Sequence, residues 1–277
     1  MIKLDKSIKN NQIKKFLNVK LFSMKALILA GGYATRLFPL TENFPKPLLE
    51  INKKPMMDYI LDKIGEIWIN EIFVITNNKY YSHFENRANQ KKSSDFSIKI
   101  INDHTLSNGD RLGGVWDIIY TIQQENLDDD LLVVWWDNLF KFSLEKSYKL
   151  FKEKNQTVII WYDVQSLEYA KSFGIISIDE SGKVVDFTEK PQDPKSTLAA
   201  ICLYYYPKHI LLYFTKYLQE ADNLGDTEKR QKMLDWPWNF PARLYKQTDV
   251  YACVHTEKRY DVWTFDALKQ ATTDYTD

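Results

Sequence analysis

Residues 24–50 read MKALILAGGYATRLFPLTENFPKPLLE. The apolar run from Ala26 to Ala30 predicts a buried strand, which breaks directly into the adjacent glycines Gly31 and Gly32. Adjacent glycines let backbone N–H groups approach phosphate oxygens, because no Cβ stands in the way. The rest of the stretch carries a hydroxyl and two fixed positive charges that suit a triphosphate, on Thr35, Arg36 and Lys46. We therefore predict a phosphate-binding loop after the first strand.

The spacing within this loop fits neither GxGxxG nor GxxxxGK[ST], which disfavours an ordinary dinucleotide-binding fold and a P-loop ATPase. Two glycines alone would indicate no more than a tight turn with Arg36 and Lys46 solvated. The full string is more specific: it resembles the signature of the sugar-1-phosphate nucleotidylyltransferases, the family that includes glucose-1-phosphate thymidylyltransferase. The resemblance continues from Met24 to about Ala271. It implies an α/β fold, Rossmann-like and three-layered, with a mixed, mostly parallel central sheet.

Composition agrees with one α/β domain. The chain has 277 residues, of which 44% are hydrophobic, and its formal net charge of +0 argues against a nucleic-acid partner. It has no apolar run of about 20 residues, so a membrane partner is not expected either. Residues 1–23 are rich in Lys and Asn and lack the apolar core of a secretory signal. We predict a cytoplasmic protein. Residues 24–277 are predicted to form a single domain, and residues 1–23 are an extension that a misassigned start codon would explain.

Alternating strand and helix patterns continue along the chain. Pro55 opens a helical pattern, and the strand predicted after it is Glu71 to Thr76. An apolar run from Leu131 to Val134 predicts a buried strand that delivers Asp137 and Asn138 at its carboxyl end, where ligands bind in open α/β sheets. The remaining predicted strands are Val158 to Ile160, Gly174 to Ile178, Val184 to Phe187, Ala199 to Tyr206 and Tyr251 to Val254.

The resemblance implies transfer of a nucleoside monophosphate from a nucleoside triphosphate, dTTP being the first candidate, to a sugar 1-phosphate such as glucose 1-phosphate, with release of pyrophosphate. Two anions must meet in this reaction, so cations have to neutralise them. Arg36 and Lys46 match the phosphate-binding residues. Asp137 and Asp261 match the carboxylates that hold the cofactor Mg²⁺, a cation that prefers oxygen ligands. Each aspartate alone would be an ordinary turn residue.

Further roles come from the resemblance alone. Glu189 and Lys190 match the sugar and sugar-phosphate contacts, although such a pair is more often a solvated turn. The segment 102–118 corresponds to the base-reading region, in which Gly113 and Gly114 could let backbone groups face a pyrimidine. Another pyrimidine nucleotide or another acceptor, as in a cytidylyltransferase acting on choline phosphate, remains open. A homo-oligomer also remains open.

Tryptophan stands where the family has glycine at five positions, which are Trp68, Trp116, Trp136, Trp238 and Trp263. The pattern is looser at Trp135, Trp161 and Trp236. Average glycine usage of about 7% predicts roughly 19 glycines in this length, whereas the chain has 9 glycines and 8 tryptophans. Adding a few methylene groups to a well-packed core costs about 1 to 3 kcal/mol. The summed cost of several Gly→Trp changes at tight sites should therefore exceed the free energy of unfolding of a domain.

We hypothesise that the gene has UGA codons at these positions and that its organism reads them as glycine. A genuine, catalytically inactive protein that binds nucleotide sugars, and a deliberately engineered series, are the competing explanations. Cys202 is a further departure, because relatives have glycine there; a small buried thiol explains it most simply.

Overall fold

The computed structural model describes residues 24–91, 96–257, 259–262 and 264–275. The extension 1–23 and Trp263 lie outside the described residues. So does the side chain of Asp261, whose backbone is described.

The strands of the described chain are β1 (Met24–Leu29), β2 (Glu50–Ile51), β3 (Lys54–Pro55), β4 (Glu71–Thr76), β5 (Ser97–Asn102), β6 (Asp130–Trp135), β7 (Asn138–Phe140), β8 (Thr157–Asp163), β9 (Gly174–Ile178), β10 (Val184–Glu189), β11 (Leu198–Tyr206), β12 (Val250–His255) and β13 (Arg259–Asp261). The α-helices are α1 (Met56–Gly65), α2 (Tyr81–Gln90), α3 (Gly114–Gln124), α4 (Glu145–Lys154), α5 (Leu167–Ala170), α6 (Leu211–Asp222), α7 (Thr227–Asp235), α8 (Asn239–Leu244) and α9 (Phe265–Asp274). Short 3-10 turns cover Thr35–Leu37, Lys46–Leu48 and Lys208–Ile210.

A nine-stranded mixed sheet forms the centre of the molecule. Strands β5, β4, β1 and β6 lie side by side in that order and are parallel. The long strand β11 is antiparallel to β6, β8 and β9, while β12 runs parallel to β8 and β10 runs antiparallel to β9. All strands of this sheet except β10 and β11 therefore point the same way. The predicted Rossmann-like α/β fold with a mixed, mostly parallel sheet is confirmed.

Alternation along the central strands builds a core on each face of the sheet. In β1, Ala26 and Ile28 face one apolar cluster, which also takes in α1 and α4, while Leu27 and Leu29 face a second cluster with α3 and α6. Successive side chains of a strand point to opposite faces, so a strand covered by helices on both faces has to be apolar throughout. This is why β1 reads as an unbroken hydrophobic run. No helix of the described residues is long and apolar enough to cross a membrane.

The connections place a binding crevice beside the carboxyl end of β1. The chain leaves β1 for β4 and β5 on one side and then crosses back to β6 on the other side. The order of connection therefore reverses between β1 and β6, and such a switch point is where open α/β sheets bind ligands. The register aligns Leu29 with Trp135, so that Gly31 and Trp136 leave the sheet at the same edge.

Candidate active site

A cleft of about 220 Å³ opens at this edge of the sheet. Its wall combines the loop after β1 with residues that follow β5 and β6 and with the ends of α3 and α7. The sequence-predicted residues that line it are Gly31, Gly32, Thr35, Arg36, Lys46 and Gly113. The structure thus brings the predicted phosphate loop and part of the predicted base-reading segment to one place.

The glycine loop is held in position by hydrogen bonds to its backbone. The Asn77 side-chain amide donates to the Gly31 carbonyl at 3.0 Å, and the Thr41 hydroxyl donates to the Ala34 carbonyl at 2.8 Å. Ala34 has a φ of 46° and turns the chain into the 3-10 turn Thr35–Leu37, which leaves Arg36 exposed at the cleft. An exposed guanidinium on an anchored loop can contact an incoming phosphate.

Lys46, by contrast, is buried. Its residue is only 2% exposed, and its ammonium lies 4.5 Å from the centroid of the Trp136 ring. Trp136 is itself 4% exposed and follows β6 directly. A cation over an indole face at such a desolvated site is stabilised by about 2 kcal/mol. The indole ring therefore lies directly beside the Lys46 ammonium in the cleft wall.

Gly113 requires glycine for two reasons. Its φ of 104° lies in a region that L-residues rarely adopt, and a Cβ there would stand 2.5 Å from the Leu234 carbonyl oxygen. This close approach packs the start of α3 against the end of α7. Beside it, a Cβ on Gly114 would stand 2.9 Å from the Trp135 ring, so the large side chain of Trp135 crowds the same wall.

Asp137 is buried, at 5% exposure, and is not among the residues that line the cleft. The two-stranded sheet β7–β13 pairs Asp261 with Asn138, the residue after Asp137. The backbones of the two predicted metal residues therefore lie close together, and aspartate is a residue type whose oxygens suit Mg²⁺. Trp136, rather than Asp137, forms the cleft wall here.

Glu189 and Lys190 lie at the end of β10, outside the cleft lining. Their charged atoms are 3.8 Å apart, and Lys190 has a φ of 45°. Partial burial raises the pKa of the Glu189 carboxyl, although Lys190 opposes the shift. Burial raises the pKa of the Cys202 thiol to about 12, and the charges of Asp137 and Glu189 act in the same direction. Cys202 has a φ of 53°, a conformation that favours glycine.

Sequence reasoning missed an acidic part of the cleft, formed by Asp103, Asp117 and Asp235. Asp103 follows the carboxyl end of β5, so the rule that identified Asp137 would have found it. Asp117 lies in the first turn of α3 and Asp235 ends α7. Nothing in the local sequence pattern distinguishes those two from helix-terminal acids.

Three of the tryptophans fit their surroundings poorly. Trp68 has a φ of 63° and is 78% exposed, so it occupies a left-handed position after α1. The indole N–H groups of Trp116 and Trp161 are buried and have no hydrogen-bond partner within the described residues. Leaving such a donor unsatisfied costs about 1–3 kcal/mol each. All three observations agree with glycine or a small residue at these positions.

The chain belongs to the nucleotidyl transferase family, whose sequence model matches residues 25–277. It is 29% identical over 212 residues to a UTP–glucose-1-phosphate uridylyltransferase of Synechocystis, covering 73% of this chain and 54% of the relative. It is also 29% identical over 269 residues to a glucose-1-phosphate adenylyltransferase of Clostridium novyi, covering 92% of this chain and 67% of the relative. The chain spans about half the length of several curated relatives.

Among solved structures, a UDP-glucose pyrophosphorylase in complex with UDP-glucose superposes with a TM-score of 0.74. The identity is 20%, and the match covers 91% of this chain and 98% of the other. This similarity supports the fold.

Proposed function

We propose that the chain transfers a nucleoside monophosphate from a nucleoside triphosphate to a sugar 1-phosphate and releases pyrophosphate. The observation that carries the proposal is the convergence of the Gly31–Gly32 loop, Arg36 and Lys46 on one cleft at the switch point of the sheet, in a chain of the nucleotidyl transferase family. Glucose 1-phosphate is the leading acceptor, because it is named in the activity of both relatives described above.

The reaction needs little covalent chemistry from the protein. An oxygen of the sugar 1-phosphate attacks the α-phosphorus, a new P–O bond forms, and the bond from the α-phosphorus to the oxygen bridging it to the β-phosphorus breaks. Arg36 stabilises the charge on the transferring group, and Lys46 positions the phosphates. Asp137 and Asp261 would hold Mg²⁺, which would supply positive charge against the negative charge of the phosphates. Glu189 and Lys190 would contact the sugar and its phosphate.

The nucleotide base is a separate question, since the named relatives use different nucleotides. The resemblance favours dTTP, whereas the curated relatives are a uridylyltransferase and an adenylyltransferase. A cytidylyltransferase that acts on another phosphorylated acceptor is the alternative within the same reaction class.

A catalytically inactive nucleotide-sugar-binding protein is the second candidate. It is favoured by one observation: Trp136 covers Lys46 and stands in the cleft wall beside Asp137. If the natural chain carries tryptophan there, binding without turnover follows.

Pyrophosphate release tests the proposal directly. The full chain, carrying the residues that its own host inserts, is assayed with five nucleoside triphosphates against several sugar 1-phosphates and choline phosphate. We expect metal-dependent turnover with a sugar 1-phosphate, and loss of that turnover in Asp137→Ala and in Asp261→Ala, with thermal unfolding showing an intact fold. Turnover with choline phosphate alone would support the alternative acceptor. Tight nucleotide binding with no turnover would overturn the proposed catalysis.

A further inference from the structure

Asn138 holds the turn that carries Asp137. It is the first residue of β7, it is only 1% exposed, and it is not among the residues that line the cleft. Its side-chain amide donates to the Trp135 carbonyl at 3.2 Å and to the Ile201 carbonyl at 2.5 Å. The amide oxygen accepts a hydrogen bond from Nε of Arg259 at 3.3 Å. Both the nitrogen and the oxygen of this amide are therefore engaged inside the protein.

These three partners fix the orientation of the amide. Two carbonyl oxygens need a donor, which only the amide nitrogen provides, and the N–H of Arg259 needs an acceptor, which only the amide oxygen provides. An amide rotated by half a turn would lose all three hydrogen bonds. The partners belong to the end of β6, to β11 and to β13, so one buried side chain joins three segments that are far apart in the sequence.

The bond to Trp135 closes the turn itself. The chain leaves the central sheet after Trp135, passes through Asp137 and enters β7 at Asn138. The Asn138 amide donates back to the carbonyl three residues earlier, and the Leu139 N–H donates to the Asp137 carbonyl at 3.1 Å. The backbone is thus held on both sides of Asp137, which fixes the position from which its carboxyl group projects.

The bond to Ile201 anchors this turn to the main sheet. Strands β6 and β11 pair antiparallel as far as Val134 and Leu203. Continuing the same register would place Ile201 opposite Trp136, but β6 has ended by that point. The side-chain amide of Asn138 donates to the Ile201 carbonyl instead. The turn is thereby tied to a strand in the middle of the sheet.

The third bond reaches the strand of the other predicted metal residue. The backbone of β13 pairs Asp261 directly with Asn138. Two residues earlier on β13, Arg259 donates to the amide oxygen of Asn138. Backbone pairing and a side-chain hydrogen bond therefore both join Asn138 to β13, and they hold the backbone of Asp261 beside the turn that carries Asp137.

We propose that Asn138 is a positioning residue, which holds Asp137 and Asp261 in the relative placement that a divalent cation requires. This inference rests on the proposed function. Carboxylates that are placed before a cation arrives bind it more tightly, because less of the binding free energy is spent on ordering them. Partners that orient metal ligands through hydrogen bonds are typically worth about 10- to 100-fold in metal affinity.

The proposed role does not depend on the side chains at positions 135 and 136. The amide of Asn138 binds backbone carbonyls, and glycine at position 135 would present the same acceptor. Glycine has more backbone freedom than any other residue, so two adjacent glycines would leave the turn less constrained by its own chain. The hydrogen bonds of Asn138 would then contribute more to the placement of Asp137.

Binding of Mn²⁺ alone tests the inference without turnover. The metal is titrated into the full chain, with the residues that its own host inserts, and free Mn²⁺ is followed by electron paramagnetic resonance. We expect Asn138→Ala to weaken Mn²⁺ binding about tenfold or more. Asn138→Ser keeps a hydroxyl that can donate to one carbonyl, so its affinity should lie between those of Asn138→Ala and the parent. The serine variant gives the same comparison if the alanine variant does not fold.

The matched control is Asn239→Ala. The Asn239 amide also donates to two backbone carbonyls, those of Lys232 at 2.8 Å and Met233 at 3.2 Å, and Asn239 is outside the cleft lining. This variant removes the same kind of contact at a different place. It should leave the Mn²⁺ affinity unchanged.

Pyrophosphate release separates positioning from a general loss of structure. The Mg²⁺ concentration that gives half of the maximal rate should rise about tenfold in Asn138→Ala, and saturating Mg²⁺ should restore most of kcat. Asp137→Ala should not be restored, because it lacks the carboxylate itself. A lower Tm with unchanged Mn²⁺ affinity and an unchanged Mg²⁺ requirement would overturn the inference, as would a parent chain that binds no Mn²⁺. Binding of Mn²⁺ that depends on Asn138, without pyrophosphate release by the parent, would overturn the proposed catalysis alone.

Discussion

The ammonium group of Lys46 lies 4.5 Å from the centroid of the Trp136 ring, and both residues are almost completely buried. A triphosphate that approaches Lys46 has to compete with this contact. It also has to pass an indole that stands 3.8 Å from the position of a Cβ on Gly32. Trp136 is thus placed to oppose the binding of phosphates by the residues predicted to bind them.

Trp136→Gly should therefore raise nucleotide affinity. A desolvated cation–π contact is worth about 2 kcal/mol, so its removal corresponds to a gain of roughly tenfold or more in affinity. Calorimetric titration of the tryptophan-containing chain and of the variant measures the change. Trp68→Gly, outside the cleft, is the control and should leave affinity unchanged. A variant that binds nucleotide no more tightly than its parent would show that Trp136 does not obstruct the site.

Trp68→Gly should instead raise stability. The left-handed conformation at φ 63° costs a non-glycine residue about 1–2 kcal/mol, and Trp68 at 78% exposure gains little from burial in return. Part of the gain is offset by the greater freedom of glycine in the unfolded chain, which costs about 0.5–1 kcal/mol. We expect a net stabilisation of about 1 kcal/mol, seen as a rise of roughly 2 °C in Tm.

The control for this measurement is Trp236→Gly. Trp236 has an ordinary φ of −95° and stacks on Trp238 with ring centroids 4.6 Å apart. Removing that ring should lower Tm. If both variants shift Tm in the same direction, backbone strain at Trp68 is not the cause.

The strands were largely predictable from the sequence, because their signals are local. Glu71 to Thr76 and Gly174 to Ile178 are apolar runs between turn residues, and the structure has strands at these same bounds. The cleft at the carboxyl end of β1 agrees with the rule that open α/β sheets bind ligands there, whereas β5 (Ser97–Asn102) was not predicted.

The acidic part of the cleft formed by Asp103, Asp117 and Asp235 was not predictable, because it depends on contacts between distant segments. Asp235 reaches the cleft only because Gly113 lets α7 pack closely against the start of α3. Asp117 lies among the buried residues of α3, and its burial is set by the tertiary packing. The contact between Lys46 and Trp136 joins two segments 90 residues apart for the same reason.

Asp117 should make stability depend on pH. The folded-state pKa of this carboxyl is raised by burial and by Asp103 and Asp235, so the folded protein holds a proton that the unfolded chain releases. Its contribution to stability is fully present below the unfolded pKa of about 3.9 and is lost as pH rises towards the folded pKa. In Asp117→Asn the side chain does not ionise, so this loss of stability with rising pH does not occur. The variant should be more stable than the parent at pH 7, and the difference in Tm should shrink as pH falls towards 4.

Thermal unfolding of both proteins between pH 4 and 8 measures this effect. Asp179→Asn is an informative control, since Asp179 is exposed and its pKa is lowered by hydrogen bonds from Ser181 and Lys183. The Asp179→Asn variant should therefore be less stable than the parent at neutral pH, which is the opposite of the effect expected for Asp117→Asn. An Asp117→Asn variant that is less stable than the parent at pH 7 would contradict a folded-state pKa that burial raises at this position.

The residues that the source organism inserts at positions 135 and 136 decide whether the contacts of Trp135 and Trp136 exist in the natural protein. Trp135 crowds Gly114, and Trp136 covers Lys46. A gene with UGA codons there, read as glycine, would relieve both contacts and place Asp137 at an open edge of the cleft. We expect the mass of the native peptide spanning 131–141, isolated from the source organism, to fit glycine at both positions. Tryptophan masses, or UGG codons in the gene, would end the recoding hypothesis. The Lys46–Trp136 contact would then be native, and the nucleotide-sugar-binding function would become the better account of the cleft.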